Sequence, residues 1–242
     1  MKRLICLSVV LMVSLSFVNA ATLSGKLDWG YKNLYLTNAG VTLHDDRVFQ
    51  GSVFLEAPLG LYAGFWISYS PQDGINSDLG DEVDFIVGIH QEKFKLGFDF
   101  SYAYLNGWDI NTTEADFHLL FLKVDFPKVL SISSYVSLEY DVPFDKDILP
   151  GGFIYRMGFS SGRRLLNRDF NFDFSVAGHN GAFGVDAQNL SSAQVEVNTV
   201  FKFSNMEFTP GIIYQKTLNY EGLSKDEFVW SINLSIPFVI ID

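Results

Sequence analysis

Apolar and polar residues alternate with a period of two along residues 60–102. From 61 to 69 the odd positions are apolar or aromatic, and the even positions include glycine and serine. Between 82 and 90 the odd positions are apolar again, and Glu82 and Asp84 begin the other row. Between 94 and 102 apolar even positions alternate with Lys95 and Asp99. Such alternation predicts β-strands with one apolar and one polar face.

The same pattern recurs along the chain and predicts twelve strands. They lie near 26–37, 47–57, 60–70, 82–90, 94–102, 114–126, 130–142, 152–161, 170–179, 193–204, 206–215 and 227–239. Connections after odd-numbered strands are long, and those after strands two, four and ten are very short. An even strand number with this alternation is typical of bacterial outer-membrane barrels. We therefore expect an all-β fold, a transmembrane up-and-down antiparallel β-barrel of 12 strands. In the alternative, a soluble sandwich, the apolar face would be buried.

The N-terminus has the organisation of a signal peptide. Lys2 and Arg3 precede an apolar run over 4–18, and a small-residue cleavage site ends at Ala20. An uncleaved anchor is the alternative, but the run is short for a membrane-spanning helix. We therefore predict a signal peptide at 1–20 and an outer-membrane barrel at 21–242. The only cysteine, Cys6, lies in the segment that would be removed, so the mature barrel would lack disulfides and thiolate metal ligands.

The chain is acidic, with a formal net charge of −11. Without Lys2 and Arg3, the chain has 15 basic and 28 acidic residues. An acidic chain without basic clusters argues against a nucleic-acid partner. The expected partners are the lipid bilayer of the bacterial outer membrane and small-molecule solutes. Aromatic rows on the outward face suit lipid and a neighbouring barrel equally, which leaves a homo-oligomer open.

Two places depart from regular alternation. In the first strand the apolar parity changes at Leu34 and Leu36, which predicts a β-bulge near Asn33. In the last two strands Pro210 and Pro237 remove backbone donors, which predicts a bulged or frayed ladder between these strands.

Residues on the inward parity would line the lumen. Acidic residues outnumber basic ones there, and a negative lumen attracts cations and repels anions. Twelve strands predict a bore between the filled eight-stranded barrel and the open sixteen-stranded porin. The candidates are the lumenal aromatics Tyr62, Trp66 and Tyr135 and the lumen-lining Asp84, His90, Lys95, Asp99, Glu114, Asp116, His118, Glu139, Asp141, Arg156, Asp173, His179, Glu196 and Lys202. The pattern predicts a narrow outer-membrane diffusion channel, porin-like, for small neutral or cationic solutes.

Three other functions remain as alternatives. A barrel whose inward charges pair with one another would have a closed lumen and a structural or adhesive role. A membrane-embedded hydrolase would need a serine and a histidine together, but His44 lies in a loop and His179 is followed by Asn180 without a nearby serine motif. A metal site is not predicted, because successive same-face residues of one strand lie about 7 Å apart. We therefore expect no catalytic residues and no metal site.

Part of the chain resembles the TorF-like porin family. The resemblance rests on residues 60–68 (GLYAGFWIS), on the acidic strand opening at 81–84 (DEVD) and on the Tyr102 strand that leads to Glu114. The family usually carries an Arg-Gly pair after its first strand, whereas residues 35–40 here (YLTNAG) lack the arginine. The resemblance covers about a third of the chain and implies an outer-membrane barrel that forms a pore.

Overall fold

The structure, a computed structural model, describes residues 22–71, 81–107, 116–144, 151–165, 168–181, 188–218 and 225–241. The predicted signal peptide at 1–20 lies outside these residues. No helix within them is long and apolar enough to cross a membrane.

The described chain is almost entirely β-structure. Its strands are β1 (Leu23–Lys32), β2 (Tyr35–Leu36), β3 (Thr42–His44), β4 (Val48–Glu56), β5 (Leu61–Tyr69), β6 (Glu82–Lys93), β7 (Leu96–Gly107), β8 (Phe117–Asp125), β9 (Ile132–Pro143), β10 (Gly152–Leu165), β11 (Arg168–His179), β12 (Gln188–Thr199), β13 (Phe201–Phe203), β14 (Met206–Thr217) and β15 (Glu227–Ile241). A single 3-10 turn, Pro58–Gly60, separates β4 from β5.

The strands form a closed antiparallel barrel. Consecutive wall strands pair along the sheet, and β1 pairs with both β4 and β15, which closes it. β12 and β13 are successive parts of one wall strand, since both pair with β14. β2 and β3 pair only with each other and lie outside the wall sheet. The wall thus has 12 strands, and the predicted fold is confirmed.

The apolar face of the wall points outward. Phe100 and Leu138 are 49% and 42% exposed, whereas Glu139, next in sequence to Leu138, is only 7% exposed. A water-soluble sandwich would show the reverse distribution, because its apolar rows would meet in a dry core. The outer rows carry aromatic contacts such as Tyr140 with Phe153, whose ring centroids lie 4.3 Å apart. These rows match the apolar band of a barrel in lipid.

The two ends of the barrel differ in their connections. The end with both termini has short turns such as 94–95 and 204–205, whereas the other end has connections such as 33–47 and 70–81. Short turns mark the periplasmic end of bacterial barrels. The end from which 33–47 departs is therefore called the outer end.

The bulge predicted near Asn33 is wrong. β1 runs regularly to Lys32, and the chain then leaves the wall. Asn33 fixes the departure point, because its Nδ2 donates to the Phe228 carbonyl at 3.0 Å and its Oδ1 accepts from the Trp230 N–H at 2.7 Å. The change of parity at Leu34 reflects the departure of the chain into a separate hairpin, and the register shift found nearby lies in that hairpin, between Tyr35 and Leu36.

The ladder between β14 and β15 is regular, contrary to the prediction. Pro210 pairs with Ile232 in unbroken register. The interruption lies on the opposite side of β14, where β12 ends at Thr199 and β13 starts at Phe201. Proline has no N–H to donate to a neighbouring strand. Pro210 lies at the place where the partner of β14 changes from β12 to β13. Pro237 lies beyond the last pair of this ladder, Glu207 with Ser235, and on the other side of β15 the register with β1 shifts between Leu23 and Ser24.

The predicted orientation of β8 is also wrong. His118 lies opposite Tyr104 on the outer face, and its Nδ1 is 2.6 Å from the Tyr102 hydroxyl. Asp116 belongs to the same outer group, because it accepts hydrogen bonds from the Tyr104 hydroxyl and from Asn106 Nδ2. Phe117 points inward instead. The middle of this strand is apolar on both faces, so alternation alone did not define the inner one.

Candidate functional site: a hairpin constriction in the lumen

Residues 34–44 form a hairpin that folds into the outer half of the lumen. β2 pairs with β3, and the Thr37 N–H donates to the Val41 carbonyl at 2.9 Å across the turn. Ala39 and Val41 are fully buried and pack against Ile154 of β10. The connection is therefore an internal element of the barrel, which we call the lumenal hairpin.

One side of the hairpin tip is held by β12 and β14. Ser191 Oγ donates to the Ala39 carbonyl at 2.8 Å, and Gln215 Nε2 donates to the Gly40 carbonyl at 2.7 Å. Gly40 has φ of +80°, and a Cβ there would lie 2.6 Å from Ser192 Cβ and 2.8 Å from Gln215 Oε1. Only glycine suits both this backbone conformation and this close approach.

Three further contacts brace the hairpin against other parts of the wall. The Tyr35 hydroxyl donates to Glu82 Oε2 of β6 at 2.7 Å, and Thr42 Oγ1 donates to Glu227 Oε1 of β15 at 3.0 Å. His44 Nε2 lies 2.8 Å from Ser70 Oγ, just after β5. These contacts to several wall strands hold the hairpin inside the lumen.

Burial changes the acidity of the hairpin tyrosine. Desolvation and then the nearby Glu82 carboxylate raise the pKa of the Tyr35 phenol well above its ordinary value. Tyr35 therefore stays neutral and acts as a hydrogen-bond donor. Its ring centroid lies 5.9 Å from that of Trp66, which brings this predicted lumenal aromatic against the hairpin.

Asn38 at the hairpin tip is exposed, although its neighbours Ala39 and Gly40 are buried. Its Nδ2 donates to Glu139 Oε2 at 3.2 Å, and its Oδ1 accepts from Arg156 Nη1 at 3.5 Å. The tip thus lies between a carboxylate on β9 and a guanidinium on β10.

The guanidinium of Arg156 is held by the wall. Its Nε and Nη2 donate to Ser175 Oγ at 3.0 and 2.7 Å, and Nη2 also donates to Gln194 Oε1. A guanidinium fixed by several acceptors keeps one orientation. The constriction therefore has positive charge at a defined position.

Carboxylates predominate on the other side of the hairpin. Glu82 and Asp84 project from β6, and Glu139 and Asp141 project from β9. Glu139 lies close enough to act electrostatically on both Asp84 and Asp141. Asp84, Glu139 and Asp141 are buried, and Glu82 is half-buried. At the level of the hairpin, acidic side chains therefore outnumber basic ones.

The lumen is more open below the hairpin. Tyr62 donates from its hydroxyl to Asp99 Oδ1 at 2.7 Å, and His90 Nδ1 lies 3.7 Å from Asp99 Oδ2. The His90 and Asp99 side chains are 49% and 26% exposed, in contrast to the buried carboxylates above. The lumenal charges are therefore more accessible near the periplasmic end than at the level of the hairpin.

A second group lies on the facing wall. The Tyr135 hydroxyl donates to Asp173 Oδ1 at 3.3 Å, and Asp173 pairs in register with Glu196 of β12. Glu196 Oε1 accepts from Asn198 Nδ2 at 3.0 Å. The structure thus places these predicted lumenal residues together on the inner face of β9, β11 and β12.

Besides Asp116 and His118, three predicted residues lie elsewhere than in the open lumen. Lys95 is in the turn between β6 and β7, at the periplasmic end. Lys202 pairs with Glu207 at 2.8 Å, close to the turn between β13 and β14. His179 is buried opposite Ile154 near the outer end. Glu114 lies outside the described residues.

The geometry bears on the alternatives of catalysis and metal binding. Ser70 and His44 form a close pair, and Ser70 is fully buried. Among the described residues, no three His, Cys, Asp or Glu side chains are arranged to hold a metal ion.

The inward fold of the hairpin was the main feature that the sequence interpretation missed. A signal existed, because Asn38 and Gly40 flank Ala39 between two short apolar rows, and such residues favour a tight hairpin turn. Alternation along 34–44 predicts a hairpin. Its docking inside the barrel depends on Ser191, Gln215 and Glu139, which lie 101 or more residues from their hairpin partners.

Comparisons with solved structures show which known proteins share this fold. No family model matches the chain, and no curated protein is similar to it. The solved structure of the KdgM porin is similar at a TM-score of 0.55 and 9% identity, covering 88% of this chain and 99% of that one. The NanC porin is similar at a TM-score of 0.52 and 8% identity, covering 88% and 98%. LpxR from Salmonella typhimurium is similar at a TM-score of 0.51 and 8% identity, covering 87% and 99%.

The likeness to these structures is one of fold. The chain is a β-barrel of the bacterial outer membrane, with the architecture of porins. The resemblance to the TorF-like family stays a prediction, because no family model matches.

Proposed function

We propose that this protein is a narrow outer-membrane diffusion channel and that small neutral or cationic solutes pass beside the lumenal hairpin. The observation that carries the proposal is the exposed Asn38, which lies between Glu139 and Arg156 at the tip of the lumenal hairpin. A folded-in segment that leaves one polar opening limits the size of a solute without closing the barrel.

Charge favours cations over anions. The KdgM porin has been solved in complex with oligogalacturonate, which is a polyanion. In the present barrel Glu82, Asp84, Glu139 and Asp141 lie on one side of the hairpin, and the Arg156 guanidinium contacts its tip. Negative charge in a low-dielectric passage repels anions. We therefore propose the opposite preference for this channel.

Conductance in planar bilayers tests the size limit. Replacement of 34–44 by a short Gly-Ser linker should raise the single-channel conductance several-fold over wild type, because the lumenal hairpin no longer occupies the lumen. Equal conductance in both would overturn the role of the hairpin.

Reversal potentials in a KCl gradient test the charge preference. Glu139→Gln should reduce cation selectivity, and Arg156→Gln should increase it. Asp169→Asn makes the same charge change as Glu139→Gln at the start of β11, near the periplasmic turn, and should have little effect. A wild-type potential in Glu139→Gln would contradict the proposal.

A closed structural or adhesive barrel is the second candidate. The ring of contacts that braces the hairpin and the buried residues at its level favour it. A silent wild-type barrel together with a conducting linker variant would identify this function.

We also propose that the barrel catalyses no reaction. In this proposal the hydrogen bond between His44 and Ser70 attaches the hairpin to the wall. Ser70→Ala should then weaken the hold on the hairpin, and no chemical change in a passing solute is expected.

A further inference from the structure

An apolar strip lines the inner wall beside the hairpin. Ala103 and Leu105 of β7 and Phe117 of β8 are buried together, and Ile86 and Leu119 pack against them. Inward apolar residues are unusual in the lumen of a water-filled barrel, whose inner face is normally polar. Ile86 and Leu119 remain partly exposed, so the strip can be reached from the lumen.

Carboxylates flank this strip on both sides. Asp84 of β6 is in register with Leu105 of β7, and Asp141 of β9 is in register with Leu119 of β8. The wall order β6, β7, β8, β9 therefore places the strip between two inward carboxylates.

Both carboxylates have buried oxygens without a hydrogen-bond partner among the described residues. Asp141 is 5% exposed, and neither of its oxygens has a hydrogen-bond partner in the part of the chain that the structure describes. Asp84 Oδ1 is also buried without a partner there, but the Asp84 carboxyl as a whole lies beside that of Glu82. A carboxylate removed from water without hydrogen bonds or a counter-charge is strongly unfavourable. The arrangement calls for a cation or a proton from outside the chain.

The nearby guanidinium does not satisfy them. Arg156 is committed to Ser175 and Gln194, and its Nη1 lies by Asn38. Tyr35 and Asn38 of the hairpin donate to Glu82 and Glu139, which leaves Asp84 and Asp141 without a hairpin donor.

From this juxtaposition we propose that the strip and its flanking carboxylates bind an organic ammonium ion that carries an apolar group. The ammonium would lie against Asp141 or Asp84, and its alkyl part would cover Leu119 and Ile86. A bare metal ion fits less well, because the described residues offer no three-ligand group and the apolar strip would be left uncovered. The inference deepens the proposed function, on which it rests for the path that a solute takes into the lumen.

Calorimetric titration of the folded barrel in detergent tests the proposal. The probes are n-butylammonium, its uncharged analogue n-butanol, and sodium. We expect n-butylammonium to bind wild type and to bind Asp141→Asn about tenfold more weakly or worse, as for loss of one charged hydrogen bond. Asp173→Asn removes a lumenal carboxylate that already has Tyr135 as partner, and it should bind as wild type does.

A second variant examines the apolar strip. Leu119→Asn should weaken the binding of n-butylammonium more than that of methylammonium, because only the longer ion covers the strip. Circular dichroism and heat-modifiable gel mobility verify that each variant is folded.

Several results would overturn the inference. Equal affinity of wild type and Asp141→Asn would do so, as would no binding of n-butylammonium to folded wild type, which would mean that protons neutralise these carboxyls. Sodium or n-butanol binding as tightly as n-butylammonium would also reject the class of ligand. The titration needs no conduction, so binding by a silent barrel would contradict the channel alone, and conduction without binding would contradict this inference alone.

Discussion

Gly40 is the residue at which the lumenal hairpin approaches the wall most closely. Its left-handed backbone and its contacts with Ser192 and Gln215 both exclude a Cβ atom. Beside it, Asn38 keeps a polar side chain in the opening, and Val41 fills the space against Ile154. These few residues decide whether the hairpin stays inside the barrel.

Gly40→Ala should loosen the hairpin. The left-handed conformation alone costs a non-glycine residue about 1–2 kcal/mol, and the clash with Ser192 adds to it. Hydrogen exchange followed by mass spectrometry should show faster exchange of the amides at 37–41. Gly162→Ala is a matched control, since a Cβ there would meet only Asn171 Oδ1 at 3.6 Å. Unchanged exchange in Gly40→Ala would contradict the fixed position of the tip.

At the scale of elements, two segments with similar alternation behave differently. β8 belongs to the wall, and the register with β7 sets which face is inward. Residues 34–44 alternate as well, but they leave the wall after Lys32 and dock inside it. Alternation predicts that a segment is extended and two-faced, and the neighbours decide where each face points.

Cysteine labelling tests the docked hairpin. The only native cysteine lies in the predicted signal peptide, so an introduced thiol would be unique in the mature chain. Asn38→Cys should react rapidly with a water-soluble methanethiosulfonate, because position 38 is exposed. Val41→Cys, at a fully buried position, should react at least about tenfold more slowly if local opening costs about 1.4 kcal/mol or more. Equal rates would indicate that the hairpin is not docked.

A pair of arginine substitutions tests the orientation of β8. Leu120→Arg would place a charge on the lipid face and should lower the free energy of unfolding by about 2–4 kcal/mol. Leu119→Arg would place the charge in the lumen opposite Asp141 and should cost less. Urea titration of barrels folded into liposomes measures both. A larger loss for Leu119→Arg would restore the orientation expected from the sequence.

The whole molecule is a closed barrel with an apolar exterior and an asymmetric lumen. Exposure of the inner charges falls from Asp99, below the hairpin, to Asp84, beside it. The outer half, which holds the hairpin, therefore carries the carboxylates that are least accessible to water, and the periplasmic half carries charges in contact with it.

This asymmetry predicts how selectivity depends on salt. Charges in contact with water are screened over about 10 Å at 0.1 M and about 3 Å at 1 M ionic strength, whereas buried charges are screened less. Cation preference should therefore fall between these two salt concentrations but persist in part at the higher one, as measured by reversal potentials. Complete loss of the cation preference at about 1 M salt would assign selectivity to the charges of the periplasmic half and not to those beside the hairpin.

The amino-acid sequence by itself determined the barrel. Period-two alternation, twelve strands, alternating connection lengths and the acidic inner parity are local properties, and each follows from the chemistry of neighbouring residues. Only the tertiary structure decided the inner face of β8, the side of β14 on which the ladder breaks near Pro210, and the docking of 34–44. Those features depend on residues far apart in the chain, such as Gly40 with Gln215 and Tyr102 with His118. The pattern of residues along one strand does not specify which residues elsewhere in the chain its side chains will contact.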